Sequence, residues 1–254
     1  MINSIPRDNS SSSRDLVYSV IIPAYNEEAL LPATLSSLHL AMDSIPHRGE
    51  IIVVDNNSTD RTQHIAKKNG ARVVFEPFRQ IAKARNSGAR AATSDFFIFL
   101  DADTILPPQL LQKALSLLAK GCHCGGGTLI SFDSQLPFFA RSLVGFWTWI
   151  SKTGELAAGS FIFCLARGFH DIGGFDEQVY AGEEVFFSRK MKAWGKKNKL
   201  LFTIIADQAV ITSGRKFRWY SSIQLALLIM LLTVFPFALR NRDLCNFWYR
   251  RPNQ

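Results

Sequence analysis

The chain has 254 residues, and 29 Lys and Arg against 21 Asp and Glu give it a formal charge of +8. This length allows one sizeable domain and a small appendage but cramps two full domains, and the basic balance favours anionic partners. Cys122, Cys124, Cys164 and Cys245 lack paired C-x-x-C spacing, and the dispersed basic residues match no nucleic-acid-binding pattern; neither a zinc site, a disulfide framework nor a nucleic-acid partner is expected.

Met1 to Arg14 is polar, with a serine run from Ser10 to Ser13, and lacks the order of a secretory signal. Residues 1–15 read as a disordered tail, which leaves the cytoplasm as the default location. Tyr18 to Pro23 is a short β-rich run ended by proline. Glu27 through Met42 then places Leu30, Leu31, Leu35, Leu38 and Met42 at helical spacing. Ile51 to Val54 suits a strand buried on both faces, and Asp55 to Asp60 is a turn and cap cluster before a helix ending at Asn69. Val73 to Phe75 predicts a third strand, Ile81 to Ala92 a third helix, and Phe96 to Leu100 a fourth strand. Alternation of this kind implies right-handed βαβ crossovers: an α/β fold with a mainly parallel mixed sheet and helices on both faces. Ligands of such sheets sit beyond the carboxyl ends of the strands, where Asn26, Asp55, Asp101 and Asp103 should meet.

Asp101 and Asp103 close the fourth strand, where side chains two apart would leave the same face. Two hard oxygen donors at an open strand end suit Mg²⁺ or Mn²⁺, which keeps waters and binds substrate phosphates; a pair of solvated turn acids is the plainer alternative. Neither G-x-G-x-x-G after the first strand nor a P-loop occurs, so a Rossmann dehydrogenase and a P-loop kinase are set aside. Gly125-Gly126-Gly127 reads as a flexible connection before Thr128 to Ser131.

Taken together, Val20 to Glu28, Ile52 to Asp60, Ala84 to Arg90, Leu100 to Thr104, Gly173 to Glu177 and Gly182 to Glu184 resemble the family 2 glycosyltransferases, in that family's order and over residues 17–215. The resemblance implies the GT-A nucleotide-diphospho-sugar transferase fold over residues 16–214. By motif position it implies that Pro23, Tyr25, Glu28 and Asp55 line the pocket for base and ribose and that Arg85 lies near the nucleotide. Asp101 would face ribose and metal, and Asp103 would be the direct metal ligand. The donor would be a UDP- or GDP-sugar and the acceptor a hydroxyl, lipid-linked or part of a surface glycan. The catalytic base falls in an acidic pair opening a helix, here Glu183-Glu184, with Glu184 as base and Glu183 in support. The family's second acid is usually aspartate, and glutamate reaches about 1.5 Å further. The alternative is that both acids only complement a helix N-terminus.

Thr212 to Phe217 departs from relatives that carry a histidine there. Arg215 and Lys216 could bind the donor diphosphate, or form a plain juxtamembrane basic cluster. Residues 215–254 read as a basic and apolar membrane-associated segment, because Ile223 to Leu239 sits at the lower limit for crossing a bilayer. Basic residues on both sides of it favour a helix in the interface. Leu136 to Ile150, rich in Phe and Trp, suits either the headgroup boundary or an ordinary core helix. The expectation is an inverting, metal-dependent glycosyltransferase on the cytoplasmic side of a membrane. A nucleotidyltransferase and an inactive nucleotide-sugar-binding scaffold remain its rivals.

Overall fold

The computed structural model describes residues 17–134 and 138–215, together with Gln224, residues 236–245 and Tyr249. The expected tail at 1–15, Lys216 and most of the apolar run from Ile223 lie outside the described residues. The first half repeats strand and helix: β1 (Val17–Ala24), α1 (Leu31–Asp43), β2 (Arg48–Asp55), α2 (Thr62–Lys68), β3 (Arg72–Phe75), α3 (Ile81–Ala91) and β4 (Phe96–Leu100). A short β5 (Thr104–Ile105) and α4 (Pro108–Ala119) lead to β6 (His123–Phe132), α5 (Phe138–Gly154), β7 (Phe161–Leu165), α6 (Ala166–Asp171), α7 (Glu183–Lys197) and β8 (Leu201–Thr212). A 3₁₀ turn spans Pro236–Arg240.

The strands form one eight-stranded sheet ordered β3-β2-β1-β4-β7-β6-β8-β5. Pairing is parallel from β3 to β4 and between β6 and β8, and antiparallel at β4-β7, β7-β6 and β8-β5. Strand alternation sends Val20, Ile22, Ile98 and Phe163 into a core under α1 and α4. It sends Ile21, Val54, Phe97 and Phe99 into a second core with α3, α6 and α7. Both faces of β4 are therefore apolar, which explains its uninterrupted hydrophobic run.

Three local expectations need correction. The first helix begins at Leu31, not Glu27, because Pro32 is suited to a first turn and residues 27–30 form a turn closed by Leu30 N donating to Glu27 O at 3.1 Å. Gly125 to Gly127 is not a connection but the buried middle of β6. A Cβ at Gly126 would fall 1.9 Å from the Thr203 carbonyl, so only glycine lets β6 lie so close to its neighbours. The carboxylates of Asp101 and Asp103 do not leave β4 from one face, because both residues lie in the turn after it, closed by Thr104 N donating to Asp101 O at 3.2 Å.

The described part of the last forty residues packs on the main body. Tyr180 N donates to Leu239 O at 2.6 Å, the Tyr249 hydroxyl accepts from Ile81 N at 3.4 Å, and Cys245 is buried. All four cysteines are free thiols. Among the described residues, no helix is long and apolar enough to cross a membrane.

Candidate active site

The loops after β1 and β2 are laced together at the rim of the parallel half. Asn26 adopts φ 51°, in the left-handed region Asn tolerates, and its Oδ1 accepts from Thr59 N at 2.8 Å. Glu27 N donates to Thr62 Oγ1 at 2.7 Å, and Glu28 N donates to Asp60 Oδ2 at 3.1 Å. Asp55 is buried and accepts from Ser58 N at 3.1 Å, so it caps its own turn; Asp60 binds Thr62 N at the start of α2. Pro23 and Tyr25 are half-buried, and the Arg79 guanidinium lies 3.7 Å over the Tyr25 ring. The Glu28 carboxylate accepts from the Arg61 backbone and side chain, both at 3.1 Å, on the exposed side of the loop.

The central group of the site is Arg85. It projects from α3, which lies close against the sheet at Gly88, where a Cβ would meet Ile21 Cγ2 at 2.3 Å. Its side chain is 1% exposed. Nη1 donates to Glu183 Oε1 at 2.5 Å, and Nη2 donates to Asp101 Oδ1 at 3.0 Å and to Gly159 O at 2.9 Å. Burial works to lower its pKa, but the charges of Asp101, Glu183 and Glu184 prevail and hold it above the ordinary arginine value. Arg85 therefore ties the turn after β4 to the first residue of α7.

That helix start is set by packing and by the loop before it. Gly182 takes φ 71°, and Glu183 and Glu184 occupy the first turn, where the helix dipole favours negative charge. Phe187, one turn on, stacks on Phe175 at 4.5 Å, and Phe175 meets Phe99 edge-on at 5.0 Å, two residues before Asp101. Asn86 Oδ1 accepts from Phe175 N at 2.9 Å, and Gln80 Nε2 donates to Glu177 O at 2.7 Å, so α3 also clamps the segment leading into α7. Glu183 is buried and Glu184 half-buried. Burial, then repulsion from Glu183, pushes the Glu184 carboxyl up to about 8 against the opposing pull of Arg85.

A second arginine closes the other side. Arg215 bonds Glu27 through Nη2 and lies 3.2 Å from Asp103 Oδ2. Thr212 Oγ1 also reaches Asp103 Oδ1, at 3.4 Å. Burial alone would lower the Arg215 pKa, yet Glu27, Asp103 and Asp101 raise it. The structure thus joins Asp101, Arg85 and Glu183 in one network, and Asp103, Arg215 and Glu27 in a neighbouring one. Tyr25, Glu28 and Asp55 are engaged by other partners along the same rim.

Sequence reasoning singles out Glu28 by motif position and passes over Glu27, which is the acid that bonds Arg215. Asn86 and Gln80 were missed too, since nothing in their local sequence names the distant loop they hold. Among the described residues, no group of three or more His, Cys, Asp and Glu is arranged to hold a metal ion. Asp101 and Asp103, each paired here with an arginine, are oxygen donors of the kind Mg²⁺ or Mn²⁺ takes, and such an ion accepts few protein oxygens and completes its shell with phosphate and water.

A family model described as Glycosyl transferase family 2 matches residues 19–166, more than half of the chain. An uncharacterised glycosyltransferase of Mycobacterium bovis is 34% identical over 139 residues, covering 54% of this chain and 56% of its own. An undecaprenyl-phosphate 4-deoxy-4-formamido-L-arabinose transferase of Pseudomonas syringae is 33% identical over 111 residues, covering 41% of this chain and 33% of its own. The chain therefore spans little more than half the length of these curated relatives, or less. In fold it is similar to a mannosyltransferase from Pyrobaculum calidifontis solved with GDP-Man and Mn²⁺, with TM-score 0.65 and 21% identity over 91% of this chain and 66% of that one.

Proposed function

The chain belongs to glycosyl transferase family 2, and on that premise we propose that it transfers a sugar from a nucleoside-diphosphate donor to an acceptor hydroxyl with inversion. The observation that carries this reading is the buried Arg85 bridge, which holds donor-side Asp101 and base-side Glu183 to one guanidinium. Pro23, Tyr25, Glu28 and Asp55 would receive the base and ribose at the rim of β1 and β2.

Asp101 and Asp103 would hold the Mn²⁺ or Mg²⁺, which supplies Lewis-acid stabilisation of the departing diphosphate. Arg215, beside Asp103, would turn its planar fork from Glu27 to phosphate oxygens. Glu184 would take the acceptor hydroxyl's proton as its oxygen attacks the anomeric carbon opposite the nucleotide. A carboxyl raised to about 8 is a stronger base than an ordinary glutamate once it is ionised. Glu183, bonded to Arg85, would support it as the neighbouring residue of the same helix turn.

The undecaprenyl-phosphate transferase among the relatives supports an acceptor borne on lipid, and with it work at a membrane surface. Incubation with UDP- and GDP-sugars plus Mn²⁺ should release nucleoside diphosphate, and NMR of the product should show the inverted anomer. Release of pyrophosphate from a nucleoside triphosphate, or undiminished turnover by both Asp103→Asn and Glu184→Gln, would overturn the proposal.

A further inference from the structure

We infer that the outward face of α5 is a docking surface for an anionic lipid bilayer. The inference rests on the membrane-surface reading proposed above and not on the donor chemistry. Among the exposed positions of α5, Arg141, Gly145, Phe146, Trp149 and Lys152 recur along one helical face. Phe146 and Trp149 are 60% and 61% exposed, and their rings stack at 6.1 Å. An ordinary core helix would turn these two rings inward, so the apolar side of the helix is not fully spent on the protein.

Charge selects the occupant. The helix sequence from Phe138 to Gly154 contains no Asp or Glu, and the exposed aromatic pair lies between Arg141 and Lys152. Aromatic rings settle at the headgroup boundary, while flanking Lys and Arg side chains rise along their alkyl stems to the phosphates. An apolar centre bracketed by cations fits a sheet of phospholipid and is less suited to a second copy of this chain, which would set Arg141 and Lys152 against like charges.

The mounting of α5 gives the surface a use. Lys192 on α7 donates to Gly154 O at 2.8 Å and pairs with Glu155 at 3.0 Å. Ala157 N donates to Ser188 Oγ at 3.0 Å, and Gly159 O receives Arg85. The end of α5 is thus pinned to the helix that opens with Glu183 and Glu184. A bilayer held on α5 would present a lipid-borne hydroxyl to a base whose position the same helix sets.

The test is sedimentation of the full chain with phosphatidylcholine vesicles and with vesicles mixed with phosphatidylglycerol. Phe146→Ser with Trp149→Ser should weaken binding to the mixed vesicles by about tenfold or more. Lys152→Glu should weaken binding to mixed vesicles severalfold and leave the phosphatidylcholine arm unchanged. Equal thermal midpoints would confirm folded variants, as expected for exposed sites. Equal sedimentation of wild type and double variant would place membrane contact elsewhere and overturn the inference, as would wild type that ignores both vesicles or a dimer that the double variant dissolves. Vesicle binding that depends on α5 in a chain that turns over no nucleotide sugar would sink the proposed function and leave this surface standing.

Discussion

The two sides of β4 are built differently. On the β1, β2 and β3 side, Pro23 and Asp55 end their strands, Tyr25 and Glu28 follow within a few positions, and the loops there are held mainly by one another. On the β7, β6 and β8 side, Glu183 and Glu184 begin a helix whose place depends on Phe99, Phe175, Phe187 and a guanidinium from α3. The proposed donor side is thus local and modular, whereas the proposed base is placed by long-range packing. Substitutions should therefore separate into those that blunt binding and those that dislodge the base.

The largest expected effect is at the base itself. Glu184→Gln should lower kcat by about a hundredfold to ten-thousandfold with the fold intact, as measured with a saturating donor. In the wild type, kcat should rise with pH up to about 8, because the raised carboxyl must lose its proton to act. The same elevation means the fold binds that proton more tightly than the unfolded chain does. Glu184 therefore contributes stability at low pH that is lost as pH rises through about 8. Glu184→Gln should flatten this decline in thermal midpoint.

Next comes the bridge between the sides. Arg85→Met leaves Asp101 and Glu183 without their shared counterion and should cost about 3 to 5 kcal/mol in denaturant unfolding. Phe187→Ala should cost a similar 3 to 5 kcal/mol and lower kcat more than it raises the donor KM. A donor KM that rises while kcat holds would show that α7 is not what positions the base.

Smaller effects belong to the binding side. Arg215→Gln should raise the donor KM about tenfold, the equivalent of one lost charged hydrogen bond. Glu28→Gln removes an exposed pair with Arg61 and should change stability by less than about 1 kcal/mol. A clear rise in donor KM in that variant would place Glu28 on the nucleotide as well.

Much of the donor side was legible in the sequence. Apolar runs ending in Asp55 or Asp101 announce a buried strand and a polar rim because both features lie within a few residues of each other. The buried state of Arg85 was not legible, since its partners Asp101, Gly159 and Glu183 come from three other parts of the chain. The glycines of β6 were misread for the same reason, because their need shows only beside Thr203 and Phe163. The exposure of Phe146 and Trp149 was not legible either, because the composition of α5 suits both a core helix and the headgroup boundary.

By itself, the sequence determined the order of strands and helices as far as β4, the strand ends at which polar residues gather, and the family. Periodicity and capping act over one or two turns of chain, and such short-range physics can be read along a line. Tertiary structure alone decided which charges share a counterion, which helix face meets solvent, and how Glu184 acquires its raised carboxyl. Those outcomes depend on burial and on distances between residues about a hundred or more positions apart, such as Arg85 and Glu183 or Arg215 and Glu27, and only the closed fold sets them.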